Sequence, residues 1–458
     1  MQAQDGQQTG KDMAGVRGVP RGRATGPGGG KRGIAPWLAM AVALAIAPAF
    51  ARAQLLAIVD ARIIASPEAE PIERGTLLLR DGRIEAVGTS VAIPAEAGRI
   101  DAGGATVVAG YWNSHIHLMA APLADAASRP AAELSQALAE QYLRWGFTTV
   151  FDIGSKPGNA FALRERIAAG EVTGPRVMTV DAPFFPEHGT PIYVLEFEGF
   201  GEQARAFEVA TPAQAGERAQ RQLTQGADGV KIFAGAILGG AGEVLPMDVD
   251  VARAAIAPAH AAGKPAFAHP TNLAGLRVSI DSGVDVLSHV APTAGPWPPE
   301  LVRELVERRV ALVPTLTLFE VELRKDGVPE EVVARVVAVG QRQLADFAAA
   351  GGVVLFGTDA GYTDRYDTRD ELRLMAGAGL DWRQILASLT TAPAARIGGG
   401  TQSARLAPGQ AADLVLLDGD PTRDVVAFAS VRQVLRAGRP VYTAPSSAGE
   451  RAPRRSAR

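Results

Sequence analysis

The chain has 458 residues, is 47% hydrophobic, contains no cysteine and carries a formal charge of −3. That size can bury a core larger than one ordinary domain's. The missing cysteine excludes disulfides, thiolate metal sites and a cysteine nucleophile, and the near-neutral charge, with no basic stripe interleaved with aromatics, argues against an electrostatic nucleic-acid binder.

Residues 1–30 are rich in Gly, Gln and Arg and read as a disordered extension. Lys31-Arg32, an apolar run from about Ile34 to Ala47 and the small-residue stretch "APAFARAQ" follow. These are the parts of a secretory signal peptide, about residues 31–53, cleaved at Ala49-Phe50-Ala51 or Ala51-Arg52-Ala53. A retained membrane anchor is the alternative, but a run of about 14 residues is short for a spanning helix. Translation starting at Met13 or later is also open. The expected mature protein is exported, periplasmic or secreted, with no stable membrane insertion after cleavage.

Residues 54–105 show short alternating runs with an Asp-Gly turn, as in "GTLLLRDGRIEAVG", which signals hairpins. Residues 401–443 have the same character in "ADLVLLDGDP" and "VRQVLRAGRPVY". The two β-rich ends are expected to pair into one small β-sandwich. Residues 444–458 read as a flexible tail.

Between them, in 106–400, short β-branched runs alternate with longer helical stretches such as "ELSQALAEQYLRWG" and "VDVARAAIAPAHAAG". Strands are expected at 106–113, 148–154, 175–182, 229–233, 265–269, 284–290, 311–317 and 353–359. Eight strand–helix units are the pattern of a (β/α)8 TIM barrel, an α/β fold. An open doubly wound sheet is the alternative, but no G-x-G-x-x-G opens a helix.

The chain has only six histidines, yet His115 and His117 sit one residue apart in "NSHIH". Residues i and i+2 of a strand face the same side, and in a barrel the ends of the strands carry the chemistry. Lys231, His269, His289 and Asp359 also fall at strand ends. A lone histidine there is more often a hydrogen-bonded core residue. Six such groups converging on one point make sense chiefly around metal. Lys231 as an ammonium would be a poor neighbour for cations. Carbamylated by CO2 it becomes an anion able to bridge two metals. A Schiff-base or phosphate-gripping lysine is the other reading, and neither explains the histidines.

The motifs "NSHIH", "GADGVKIF", "FAHP", "LSHV", "GTDA" and "LAPGQAADLVLLDGDP" together resemble the amidohydrolase superfamily over nearly all of the chain after residue 54. The resemblance implies that His115, His117 and Asp359 bind a first metal, that His269 and His289 bind a second, and that carbamylated Lys231 bridges them. Zn is the first expectation, and Mn, Fe or Co suit the same donors. A bridging hydroxide would attack a carbonyl carbon, with Asp359 as the catalytic proton shuttle. Two departures from the family pattern are Ala109-Gly110 and Asn113, neither of which removes a ligand.

The branch implied by "GADGVKIF" is that of Xaa-Pro dipeptidase-like and acyl-amino-acid hydrolases, alongside imidazolonepropionase-like enzymes. Deaminases of the superfamily usually carry H-x-x-E at strand five, whereas Asn272 follows His269 here. Where that branch has Gly-His-Gly, this chain reads "FFPEHGTP", so His188 is a candidate for holding the substrate carbonyl or merely for ordering a loop. Phe184, Phe185, Tyr193 and Phe197 suggest an apolar wall. Tyr193, Tyr362 and Arg369 are the candidate substrate-binding residues. His260 reads as structural at a helix C-terminus, and Asp152 as a hydrogen-bonding residue of the barrel mouth.

The expected function is hydrolysis of an amide or peptide C–N bond in a small substrate, a dipeptide or N-acyl amino acid. The rivals are hydrolysis of a cyclic amide, lactone or phosphoester, deamination of a heterocycle, and a non-catalytic binding protein on the same scaffold. Self-association into a homo-oligomer is left open.

Overall fold

The computed structural model describes residues 54–197, 201–239, 243–400 and 403–445. The expected leader and nearly all of the expected tail lie outside these residues. Among the described residues no helix is long and apolar enough to cross a membrane.

Both chain ends join one eight-stranded mixed sheet, in the order 439–443, 431–436, 414–417, 106–109, 55–63, 72–80, 83–88, with 98–101 beside 55–63. The Asp-Gly signal is realised as read: Asp81 (φ 50°) and Gly82 (φ 76°) form a two-residue turn between paired Arg80 and Arg83. Positive φ at both positions suits the twist of the flanking strands. The ends meet where Leu414–Leu417 runs antiparallel to Thr106–Ala109. Ile58, Leu77, Val107, Leu414 and Leu435 bury one side of this sheet in a core of its own.

The remainder is a TIM-barrel-like α/β fold. Parallel strands form two arcs, one of Tyr111–Ile116, Phe147–Asp152 and Arg176–Thr179, the other of Val230–Phe233, Ala266–His269, Val286–Ser288 and Ala311–Val313. Hydrogen bonds link the arcs at Phe184 and Lys231, and residues 353–360 stand between Leu312 and Ile116 through single bridges at Val354 and Ala360. Alternation sorts the side chains. Trp112, Phe151, Phe267, Val286 and Val313 pack in an inner cluster, while Tyr111, Val150, Ile232, Leu287 and Leu312 face the helices.

Three expected strands change: the run read as 353–359 makes only the single bridges at Val354 and Ala360 and is not a regular strand. The run read as 106–113 is two strands broken at Gly110, the first in the terminal sheet and the second in the inner arc. A Cβ at Gly110 would fall 2.2 Å from Thr148 Oγ1, so only glycine lets the chain bend between the two sheets there. The run read as 311–317 ends as strand at Val313, and Leu316 opens a helix to Lys325. Two helix ends show the expected capping. Asp381 and Gln384 form a capping box before Trp382–Leu389, and Gly263 (φ 66°) follows the helix Val249–Ala261.

Candidate metal centre

The first inner strand carries an extra residue between Asn113 and Ile116 relative to its neighbour. Such a bulge re-aims side chains. His115 and His117 both turn towards Asp359, which sits in the 353–360 segment. Their Nε2 atoms lie 3.2 Å and 2.9 Å from Asp359 Oδ1. One ligand atom from each of the three residues falls within 4.8 Å of the other two, a group able to hold a metal ion. His115 and Asp359 are buried, and His117 keeps 14% of its side chain exposed.

The donors fit a divalent cation. Asp359 Oδ1 and His115 Nδ1 are buried without hydrogen-bond partners, which is costly unless a cation or proton answers them. His117 Nδ1 lies 2.5 Å from the Gly154 carbonyl, which can only accept. Nδ1 therefore carries a proton, and Nε2 is the nitrogen left to face Asp359.

The other expected residues crowd the same place. The His289 ring is 4.6 Å from that of His115 and 4.7 Å from that of His269. His289 Nε2 is 3.8 Å from Asp359 Oδ2. His269 stacks on Phe233 at 4.8 Å. Lys231 alternates with outward-facing Val230 and Ile232 and is 2% exposed, its charge acts on His115, His269 and His289, and the charge of Asp359 acts on it. His289 (φ 83°) and Asp359 (φ 57°) both hold left-handed backbone, a strained state for non-glycine residues that tends to gather at functional sites.

Burial dominates the titration of this group. It pulls His115 and His269 down to about 3, His289 well below the usual imidazole range and Lys231 down to about 7. Burial also opposes charge on His117, but contact with Asp359, its charge and the Gly154 carbonyl outweigh it and raise the pKa. Burial would raise Asp359, yet the adjoining His115 and His117 hold it well below the carboxylate range. The metal-free cluster thus favours neutral imidazoles at His115, His269 and His289 beside an ionised Asp359, while His117 is biased towards its charged form, whose proton a bound cation would replace.

Of the expected substrate-binding residues, the structure brings two to the cluster. The Tyr193 ring lies 6.5 Å from that of His269 and 5.4 Å from that of Tyr362. The Tyr362 hydroxyl donates to Glu322 at 2.9 Å. Phe319 stands 6.5 Å from His289. Two expectations need correction. Arg369 lies over the Trp145 ring and pairs with Asp367. Trp145 precedes the strand 147–152, so Arg369 is at the opposite end of the strands from the histidines. The chain leaves the site after Tyr362, because Tyr366 packs on Tyr142 and draws the segment outward. The His188 side chain is 87% exposed, and its backbone N–H donates to Glu208, so its place is in the ordering of its loop.

Asp152 is a positioning group. Its carboxylate accepts from Leu118 N–H at 3.1 Å, from the Ser155 hydroxyl and from Thr179 Oγ1 at 2.7 Å, pinning the chain just after His117. Asn113, one of the departures from the family pattern, ties the first strand to Thr358 at 2.8 Å. Glu322, Thr315 and Glu371 were not among the sequence candidates. The only signal for Glu371 was an acid on the apolar side of "DELRLM".

Fold and site define a TIM-barrel-like α/β protein with a metal-capable histidine–carboxylate cluster at one end of its parallel strands. The chain belongs to the amidohydrolase family, metal-dependent hydrolases of carbon–nitrogen bonds, whose profile matches residues 106–441. Solved structures similar to it include a putative prolidase from Bifidobacterium longum, at 28% identity and TM-score 0.70 over 85% of this chain and 95% of that one. A Xaa-Pro dipeptidase with bound methionine aligns at 21% identity and TM-score 0.72 over 85% of this chain and 100% of that one. Molinate hydrolase aligns at 22% identity and TM-score 0.70 over 85% and 94%. Curated protein sequences gave no match.

Proposed function

We propose that the protein hydrolyses an amide or peptide C–N bond in a small substrate, a dipeptide or N-acyl amino acid. The observation that carries this is the convergence of two imidazole nitrogens on one carboxylate oxygen, at 3.2 Å and 2.9 Å, with two further histidines and a buried lysine against them. His115, His117 and Asp359 would hold one divalent ion, His269 and His289 a second, and Lys231 would bridge them once carbamylated. Zn is the first choice for this donor set. When bound, such ions supply Lewis acidity towards a carbonyl oxygen and lower the pKa of water.

The side chains do the rest. Asp359 takes the proton of the attacking water and delivers it to the leaving nitrogen as the C–N bond breaks. Its Oδ1 faces two imidazoles at 3.2 Å and 2.9 Å, while Oδ2, 3.8 Å from His289 Nε2, is the less crowded oxygen and the better placed to carry the proton. A Lys231 amine brought down to about 7 is largely neutral in mildly alkaline solution, the form that adds to CO2. Tyr193, Tyr362 and Phe319 edge the cluster with rings, which supports an apolar or aromatic group on the substrate. Lys156, in the loop after the strand 147–152, pairs with Asp125, and Lys325, at the end of the helix 316–325, pairs with Glu322.

In this reading the inner strands close into an eight-stranded (β/α)8 barrel, the terminal sheet folds over as a small sandwich, and residues 31–53 direct export. The 28%-identical putative prolidase supports the peptide-bond reading. The test is metal analysis of protein expressed with divalent ions and bicarbonate, then turnover of dipeptides and N-acyl amino acids with and without aromatic groups. Two metals per chain with amide hydrolysis supports the proposal. Two metals with turnover only of lactones, phosphoesters or heterocyclic amines replaces it, and a chain that binds no metal is a non-catalytic relative.

A further inference from the structure

The chain after Val313 has an arrangement that neither family membership nor the cluster itself explains. Pro314 and Thr315 lead into the helix Leu316–Lys325, so Thr315 occupies the N-cap position. A threonine there ordinarily accepts a hydrogen bond from an N–H two or three residues on. Thr315 makes no such bond, and its backbone is left-handed, φ 44° and ψ 51°. That conformation is a genuine outlier for a β-branched residue, and Thr315 is fully buried.

The capping is supplied from elsewhere. Glu371, 1% exposed and set in the first turn of the helix Arg369–Gly377, accepts from Leu316 N–H at 2.9 Å, from Thr317 N–H at 2.8 Å and from the Thr317 hydroxyl at 2.7 Å. The carboxylate thus satisfies the open N–H groups of the neighbouring helix. The Thr315 hydroxyl is left with other work. It donates to the Pro314 carbonyl at 2.9 Å and lies 2.6 Å from His289 Nδ1. A hydroxyl has one proton. With that proton on Pro314, Oγ1 must accept from His289, so His289 carries its hydrogen on Nδ1. Nε2 then presents a lone pair towards the cluster, where Asp359 Oδ2 is 3.8 Å away.

We propose that Thr315 and Glu371 are positioning residues for His289: Thr315 fixes the ring's tautomer and aim, and Glu371 keeps Thr315 available by capping the helix in its place. The link to metal binding rests on the two-ion reading above, but the tautomer does not, so the experiment separates them.

The first measurement is side-chain nitrogen NMR of the full chain, labelled with 15N-histidine and stripped of metal, at one fixed mildly alkaline pH. Six histidines are few enough to resolve, and loss of one signal in His289→Gln assigns the ring. The unaltered protein and Thr315→Ser, which keeps the hydroxyl, are expected to show His289 protonated on Nδ1. Thr315→Val, equal in shape without the acceptor, is expected to shift the ring towards the Nε2-protonated form. Glu371→Gln should shift it part of the way, as the Thr315 hydroxyl is drawn back to the helix end. A His289 that stays fully Nδ1-protonated in Thr315→Val overturns the proposal.

The second measurement is calorimetric titration of metal-free protein with Zn2+. Thr315→Val should weaken the second ion about 10- to 100-fold and spare the first, with Thr315→Ser near the unaltered value. Unchanged second-ion affinity despite a shifted tautomer also overturns it, by cutting the ring from the site. An unaltered protein that takes up no Zn2+ sinks the two-ion reading and leaves the tautomer assignment standing.

Discussion

The two ends of the inner strands use the same residue types to opposite effect. Where the strands begin, Asp285 gathers His260 and Arg396 on one carboxylate. Asp285 accepts from His260 Nε2 and Ala266 N–H at 2.9 Å each and from Arg396 at 3.1 Å, while Asp228 pairs with Arg164 at 2.8 Å. Where the strands finish, two imidazoles point at one oxygen of Asp359, and that oxygen has no hydrogen-bond partner. The first pattern satisfies charge locally and contributes to stability. The second holds lone pairs in convergence, which costs stability and has a use only if a cation completes it.

The sharpest way to break this contrast is Asp359→Asn. Turnover should fall at least about 1000-fold, or roughly 4 kcal/mol in the barrier, while the melting temperature stays within a few degrees. Near-normal turnover would remove Asp359 from proton transfer. Next comes chelation of divalent ions. It should abolish turnover reversibly and lower the unfolding free energy by roughly 2.7 kcal/mol for each ion that was held at 100 times its Kd. A protein whose stability and activity ignore both chelator and added metal would leave the convergence unexplained.

Glycines at the two ends carry the comparison further. Gly361 has φ 95°, and a Cβ there would lie 1.8 Å from the His117 carbonyl oxygen. Gly361→Ala should cost about 2–3 kcal/mol by urea unfolding, from overpacking and strain together, and should reduce turnover by displacing His117. Gly263, φ 66° with open space around it, should cost only about 1 kcal/mol as alanine and leave turnover alone. Equal losses at both positions would mean that the site end is no more tightly built than the other.

What the sequence disclosed follows the same divide. His115, His117, Lys231, His269, His289 and Asp359 were legible because each is a polar residue ending an apolar run, a pattern that strand periodicity turns into a location. The Asp81-Gly82 turn was legible from its two residues alone. Arg369 was misplaced because it was read by distance along the chain from Asp359, and sequence distance does not say when a loop turns away. The break at Gly110 was hidden because its cause, the approach of Thr148, comes from a strand nearly 40 positions later. Thr315 and Glu371 were invisible for a related reason: their roles lie in which partner each hydrogen bond chooses, and composition and spacing are silent on that.

Asp285→Asn should cost about 1–2 kcal/mol, since it weakens a half-buried acceptor of three donors, with kcat unchanged within twofold. The smallest effect belongs to a surface pair in a turn and a bend beside the terminal sheet. Arg405 donates to Glu68 at 2.6 Å and 3.3 Å, and this bond holds the Glu68 carboxyl down at about 2. The folded pKa lies below the unfolded one, so the pair stabilises the fold above about pH 4.5, and that contribution fades as pH falls towards 2. Glu68 is 63% exposed and Arg405 45%, and solvent screening reduces the gain to about 0.5 kcal/mol. Glu68→Gln should therefore lower stability by about that much at pH 7 and by nearly nothing below pH 2. A loss independent of pH would mean that Glu68 acts through packing, and a loss above about 1.5 kcal/mol would mean that this exposed edge is held as firmly as the buried end of the strands.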